Sequence, residues 1–219
     1  MSHKTILIFG ATGNTGIQLV SQALEQGHNV SAFLRDSAKL EIHHDRLHVL
    51  EGDVQDKLAV EAAITSMPFD AVISALGVYI REPVTPVADG TQNILDIMAT
   101  HGPKRFICIS SLGAGDSKGE GNWLARFIQK RFLSFVLRDK DFQERAIVKS
   151  NLDWTIIRPP QLTDDPDVHD DCLCWVGPKD KSQKVIWKVS RADVASECLR
   201  LVDRPDFVRE AITSARAKP

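Results

Sequence analysis

The chain has 219 residues, 43 % of them hydrophobic and 26 % charged, proportions that support a folded core and exclude a disordered or fibrous polypeptide. A formal charge of −2 at pH 7 supplies no general attraction for nucleic acid or an anionic membrane, and four unevenly spread cysteines, Cys108, Cys172, Cys174 and Cys198, set up no disulfide framework. With too few apolar residues before Gly10 for a signal segment and no apolar run near the ~18 residues of a membrane span, the expectation is a cytoplasmic protein in a reducing compartment, with no membrane or nucleic-acid partner.

The first element is the apolar run Thr5-Ile6-Leu7-Ile8-Phe9, followed at once by Gly10-Ala11-Thr12-Gly13-Asn14-Thr15-Gly16 and an amphipathic stretch from Ile17 to Gln26. The order is strand, glycine turn, helix. Glycine admits the positive φ of a tight turn, leaves room for a diphosphate beside the backbone and lets the helix approach the sheet. Unbonded amides at the helix start then face an anion, and the helix dipole favours negative charge there. Gly10, Thr12, Gly13, Asn14, Thr15 and Gly16 are therefore candidate dinucleotide-binding residues.

Further strand-length runs follow at Asn29 to Leu34, Arg46 to Leu50, Asp70 to Ala75, Arg105 to Ser110 and Trp154 to Arg158, with helical patterns at Lys57 to Thr65 and Thr91 to Thr100. Most runs are apolar at nearly every position, as in strands covered on both faces. Alternating strands and helices predict an α/β fold, a Rossmann-type doubly wound parallel sheet whose ligand crevice lies beyond the carboxyl ends of the strands. The residues just after each strand are thus the ones to read for chemistry.

After the second strand stands Arg35, 19 residues beyond Gly16, where an acid would accept hydrogen bonds from the ribose of NAD. A guanidinium there instead pairs with a 2′-phosphate, so NADP(H) is the expected cofactor; the competing reading is a solvated Arg paired with Asp36. Asp53 and Val54, after Gly52, fit the adenine edge, with Asp53 alternatively a turn residue or the N-cap of the Lys57 helix. Ala75, Leu76 and Gly77 allow close approach of backbone to diphosphate and ribose.

The stretch Trp123 to Leu137 carries Leu124, Phe127, Ile128, Phe132, Phe135 and Val136 at helical spacings beside Arg126, Lys130 and Arg131. It reads as core or as a lid over substrate, against a partner surface or membrane contact. Beyond it, Gln161 to Lys184 is rich in Asp, Pro and Lys, followed by a strand at Val185 to Val189, a capping pattern at Ser190-Arg191-Ala192-Asp193, a helix to about Val202 and an extended stretch at Val208 to Ser214. Residues 161–219 are expected to form a small C-terminal substrate-side lobe of one domain spanning 1–219. Asp164, Asp165, Asp167, His169, Asp170, Asp171, Cys172 and Cys174 crowd together, but their spacing fits no structural zinc site, and a mobile acidic loop without metal is the expectation.

The glycine start, Arg35, Gly52-Asp53-Val54, Ser110-Ser111, Leu152-Asp153-Trp154-Thr155-Ile156-Ile157-Arg158-Pro159 and Ser190-Arg191-Ala192-Asp193-Val194-Ala195 together resemble the atypical short-chain dehydrogenase/reductases, above all the NmrA-like proteins and the biliverdin-IX-beta reductase, or flavin reductase, branch. The resemblance covers nearly the whole chain and is specific for fold and cofactor. It implies Ser111 as the catalytic serine and Lys140 as the catalytic lysine. Ser110 and the backbone near Pro159 and Pro160 adjoin the nicotinamide, Ser110 turned toward the core. Lys140 either bonds ribose hydroxyls or is a solvated helix lysine.

One departure matters. The superfamily's tyrosine four residues before the lysine is Val136 here, and the only tyrosine of the chain, Tyr79, has Pro83 at the following fourth position. A general acid typically supplies about 10²- to 10⁴-fold, so its loss disfavours simple alcohol-forming ketone reduction. It matters less for an acceptor that takes hydride into a conjugated system and a proton from solvent. Two readings follow: an NADPH-dependent reductase of a planar acceptor such as a flavin, quinone or bilin, and a non-catalytic NADP-binding sensor that engages a protein partner.

Overall fold

Alternation along the first strand already explains the layering. Ile6 and Ile8 point to one side of the sheet and Leu7 and Phe9 to the other, and all four are fully buried. In a computed structural model, which describes residues 3–169, 171–177, 179 and 184–218, six further strands of the same sheet run parallel to this one. The elements are β1 (Thr5–Phe9), α1 (Asn14–Glu25), β2 (Asn29–Leu34), β3 (Leu47–Glu51), α2 (Lys57–Thr65), β4 (Ala71–Ser74), α3 (Pro86–Thr100), β5 (Arg105–Ile109), α4 (Trp123–Phe132), α5 (Ser134–Lys149) and β6 (Asp153–Arg158). There follow β7 (Gln161–Thr163), β8 (Cys172–Val176), β9 (Val185–Ile186), β10 (Lys188–Ser190), α6 (Arg191–Leu201) and β11 (Glu210–Ala217).

The strand order is β3-β2-β1-β4-β5-β6-β11-β8, parallel throughout except that β8 runs antiparallel to β11. Residues of α1 and α6 pack on the Ile6/Ile8 face, and residues of α2, α3 and α5 on the Leu7/Phe9 face. This is the Rossmann-type doubly wound arrangement, with its switch in strand order between β1 and β4.

The differences from the sequence reading have local causes. Helix α3 begins at Pro86 and not near Thr91, because proline is at home in the first helical turn and Asp139 of α5 accepts hydrogen bonds from the Val87 and Ala88 amides. The stretch Val185 to Val189 is not one strand: Trp187 separates β9, which pairs with β11, from β10, which pairs with β7. The end of the expected acidic loop, from Cys172 to Cys174, belongs to β8, whose whole length pairs with β11. In the C-terminal part, β7 and β10 keep a two-stranded sheet of their own. Helix α6 packs on the α1 side, and β11 extends the main sheet beside β6.

The stripe between Trp123 and Leu137 is not core. Of the stripe's described apolar residues only Leu137, in α5, is buried, while the large apolar residues of α4 are exposed.

Candidate active site

At the switch point, where β1 and β4 diverge, a cleft of about 310 Å³ opens over the carboxyl ends of β1 to β4. Gly10, at φ +79°, forms its floor, and a Cβ there would sit 2.9 Å from the backbone carbonyl of Ala75. Gly16 is equally obligate: its Cβ would collide with the carbonyl oxygen of Gly10. The chain can bring helix α1 this close to the turn only because both positions lack a side chain. Gly13 is the N-cap and no side chain caps the helix. The first backbone bond into the helix is Ile17 N–H to Gly13 O at 2.8 Å, so the amides of Asn14, Thr15 and Gly16 have no intrahelical acceptor; of the turn, Gly10, Thr12 and Gly13 line the cleft, while Asn14, Thr15 and Gly16 do not.

Arg35 lies on the cleft wall, exposed, and among the described residues nothing pairs with it. The competing Arg35–Asp36 pair does not form, because Asp36 accepts from the Ala38 amide and lies 3.5 Å from Lys39 Nζ. Asp53 is a turn residue, its carboxylate accepting from the Gln55 amide at 3.0 Å, and the N-cap of α2 is Asp56. Asp53, Val54, Ala75, Leu76 and Gly77 all line the cleft with Thr12 and Gly13. So do Phe33, Gln55, Pro86 and Val87, which the sequence reading missed. Phe33 had a signal, as the strand residue two before Arg35; Pro86 and Val87 had none, since α3 carries them in from a distant part of the chain.

At the neighbouring strand ends, past β5 and β6, a second cleft of about 440 Å³ is lined by Ser111, Pro160, Leu124, Ile128, Trp187 and Lys188 among others. Ser111 is half-buried, and among the described residues its hydroxyl has only the Leu112 carbonyl at 3.3 Å as acceptor. Ser110 turns inward, as expected: its buried hydroxyl donates to Glu144 Oε1, and Glu144 in turn accepts from Arg158 Nε at 3.1 Å and Nη2 at 2.7 Å. Arg158 also pairs with Asp116. Burial works against the Arg158 charge, but the hydrogen bonds and charges of Glu144 and Asp116 together outweigh it and hold the pKa above the ordinary value. Pro159 is buried behind Pro160, and its carbonyl accepts from the Leu112 amide at 2.9 Å, which ties the loop carrying Ser111 to β6.

Lys140 is not a solvated helix lysine. It is 6 % exposed, and its ammonium donates to Leu76 O and Ile109 O, each at 2.8 Å, and to Gln143 Oε1 at 3.0 Å. Burial lowers its pKa, yet three acceptors meet the three N–H bonds of the charged form. The lysine clamps the ends of β4 and β5, one of which belongs to each cleft. Gln143 passes the network on to Thr91 of α3 at 2.8 Å.

Most of the acidic tail residues are engaged: Asp164 pairs with Arg191 and Asp171 with Arg216, while the His169 ring lies 3.2 Å from Asp193 and 3.4 Å from Asp165. Among the described residues no group of His, Cys, Asp and Glu is arranged to hold a metal; Asp170 lies outside them. Burial pushes the Cys172 and Cys174 thiols up to about 12, the opposite of a reactive thiolate.

A family described as NAD(P)H-binding matches residues 10–205, from the glycine turn through α6. The chain belongs to that family. An uncharacterized chloroplastic protein of Arabidopsis thaliana is 29 % identical over 170 residues, covering 74 % of this chain and 61 % of its own length. The 3 beta-hydroxysteroid dehydrogenase/Delta 5→4-isomerase of Mycobacterium tuberculosis is 31 % identical over 160 residues, 67 % of this chain but 42 % of that protein. The chain thus spans less than two thirds of the length of these relatives. Among solved structures, ChuY, an anaerobilin reductase from Escherichia coli O157:H7, superposes with a TM-score of 0.79 at 24 % identity, covering 98 % of this chain and 99 % of that one. A short-chain dehydrogenase/reductase from Veillonella parvula in complex with NADP gives 0.80 at 22 % identity, covering 100 % and 96 %. At these identities the superpositions speak to the fold. The chain is thus an NAD(P)H-binding family member with the Rossmann-type fold that its motifs predict.

Proposed function

We propose that this NAD(P)H-binding protein is an NADPH-dependent reductase that delivers hydride to a planar conjugated acceptor of the flavin, quinone or bilin class. The observation that carries the reading is the second cleft: Ser111 stands at its edge, its walls are largely apolar or aromatic, and no tyrosine lines it. Tyr79 is 58 % exposed and lies against Arg81. An acceptor of this kind delocalises the incoming electron pair and takes its proton from water, so the missing general acid costs little.

When bound, NADPH supplies the hydride. In this reading the Asn14, Thr15 and Gly16 amides bind its diphosphate over Gly10, Thr12 and Gly13, Arg35 pairs with the 2′-phosphate, and Asp53 and Val54 flank the adenine. Ala75, Leu76 and Gly77 face ribose and diphosphate, and backbone near Pro159 and Pro160 holds the carboxamide. Ser111 donates a hydrogen bond to the acceptor. Lys140 and Ser110 are positioning residues, the first clamping the strand ends under both clefts, the second bracing the Ser111 loop through Glu144.

Following NADPH oxidation by absorbance with a flavin, a quinone and a bilin tests the reading. Saturable turnover with one of them is expected, and Ser111→Ala is expected to lower kcat by at least about tenfold, the loss of one hydrogen bond to a developing charge, with NADPH affinity unchanged. Tight NADPH binding with no turnover on any of the three would overturn it in favour of the non-catalytic sensor.

A further inference from the structure

The eighteen residues from 121 to 138 hold Arg126, Lys130, Arg131 and Arg138 and no acid, although the whole chain has a formal charge of −2. On the same stretch stands a cluster of exposed large apolar side chains: Trp123 at 74 %, Phe127 at 57 % and Phe132 at 55 %, joined by Leu124, Ile128 and Phe135. Phe127 and Phe132 meet edge to face, and the Arg131 guanidinium lies over the Phe132 ring, which keeps the charge at the rim of an apolar ridge. The helix is fastened to the body on its other side, where Gln129 donates to the Leu112 carbonyl at 3.1 Å. An aromatic ridge on a helix whose charges are all positive is the composition of an interfacial helix.

We propose that α4 docks the protein on an anionic lipid bilayer, with Trp123 and Phe127 entering the headgroup layer and Arg126, Lys130 and Arg131 meeting lipid phosphates. Charge decides between occupants. A second copy of the chain would set this face against itself in a two-fold interface, bringing like charges together. A bilayer rich in acidic lipid offers negative charge at the rim and hydrocarbon beneath the ridge at once. Leu124 and Ile128 also wall the Ser111 cleft, so docking brings the mouth of that cleft to the membrane surface, where lipophilic acceptors concentrate. That last consequence rests on the proposed reductase function; the docking itself does not.

Co-flotation of the full chain with vesicles of phosphatidylcholine alone, or of phosphatidylcholine with equimolar phosphatidylglycerol, measures binding without turnover, so the docking and the reductase reading fail separately. Flotation with the anionic vesicles only, reversed by added salt, is expected. Both Trp123→Ser/Phe127→Ser and Lys130→Gln/Arg131→Gln should weaken it at least tenfold while NADPH binding, read by fluorescence, shows that each variant is folded. Absence of flotation, or flotation that neither variant reduces, would overturn the proposal. Retention on an immobilised acidic polypeptide without vesicle binding would assign the face to a protein and overturn it equally.

Discussion

Arg35 and Lys140 are both cations at the edge of the crevice, and their surroundings give them opposite work. Arg35 is exposed with no partner among the described residues, so its charge is available to a ligand. Lys140 is surrounded by three acceptors and has nothing left to offer. A charge-assisted bond from Arg35 to a 2′-phosphate is worth about 1.5 to 3 kcal/mol, so Arg35→Asp is expected to remove on the order of a 10- to 150-fold preference for NADPH over NADH. Titrating the variant with each cofactor checks this, and an unchanged affinity ratio would reduce Arg35 to a surface residue. The position of Arg35 was legible because strand length and glycine spacing fix which residue leaves β2. The environment of Lys140 was not, because Arg138, Asp139 and Asp141 around it suggest solvent, while the helix turns Asp139 and Lys140 inward and leaves Arg138 outside.

At the level of elements, two helix starts show the limit of local reading. Helix α6 has its cap in sequence: the Ser190 hydroxyl accepts from the Asp193 amide at 2.8 Å, and the Asp193 carboxylate accepts from the Ser190 amide at 3.2 Å. Helix α3 has its cap in space, from an acid 52 residues beyond the Val87 amide it serves. The buried Asp139 carboxylate takes both the Val87 and Ala88 amides, at 3.0 and 2.8 Å. Removing it leaves those donors unmet, and Asp139→Ala is expected to cost about 1 to 3 kcal/mol in urea unfolding. Because Pro86 and Val87 wall the cofactor cleft, the same variant should bind NADPH more weakly even in the absence of denaturant. Stability lost without any change in cofactor affinity would separate α3 from the cleft. The α4 ridge is the converse case: its periodicity was plain, but periodicity reports that one face is apolar and not what covers it.

For the molecule as a whole, the tail completes the sheet. Strand β11 lies between β6 and β8, so its backbone is paired on both edges, and Ile212, Ser214 and Ala215 are fully buried. Ending the chain before Glu210 would strip β6 of its outer neighbour and leave β8 without a partner. Such a truncation is expected to give an insoluble or molten product; a cooperative thermal transition near that of the full chain would show the core to be independent of its tail. The sequence by itself determined the parallel α/β fold, the glycine turn and the residues leaving β2, β3 and β4, because these depend on alternation and on steric rules that act within a few residues. Only the tertiary structure decided that Lys140 clamps two strand ends, that Asp139 caps α3, that Cys172 to Val176 is a strand and that the α4 ridge faces solvent. Each of those depends on which distant backbone or side chain lies alongside, and contact at long sequence separation leaves no periodic trace in the chain.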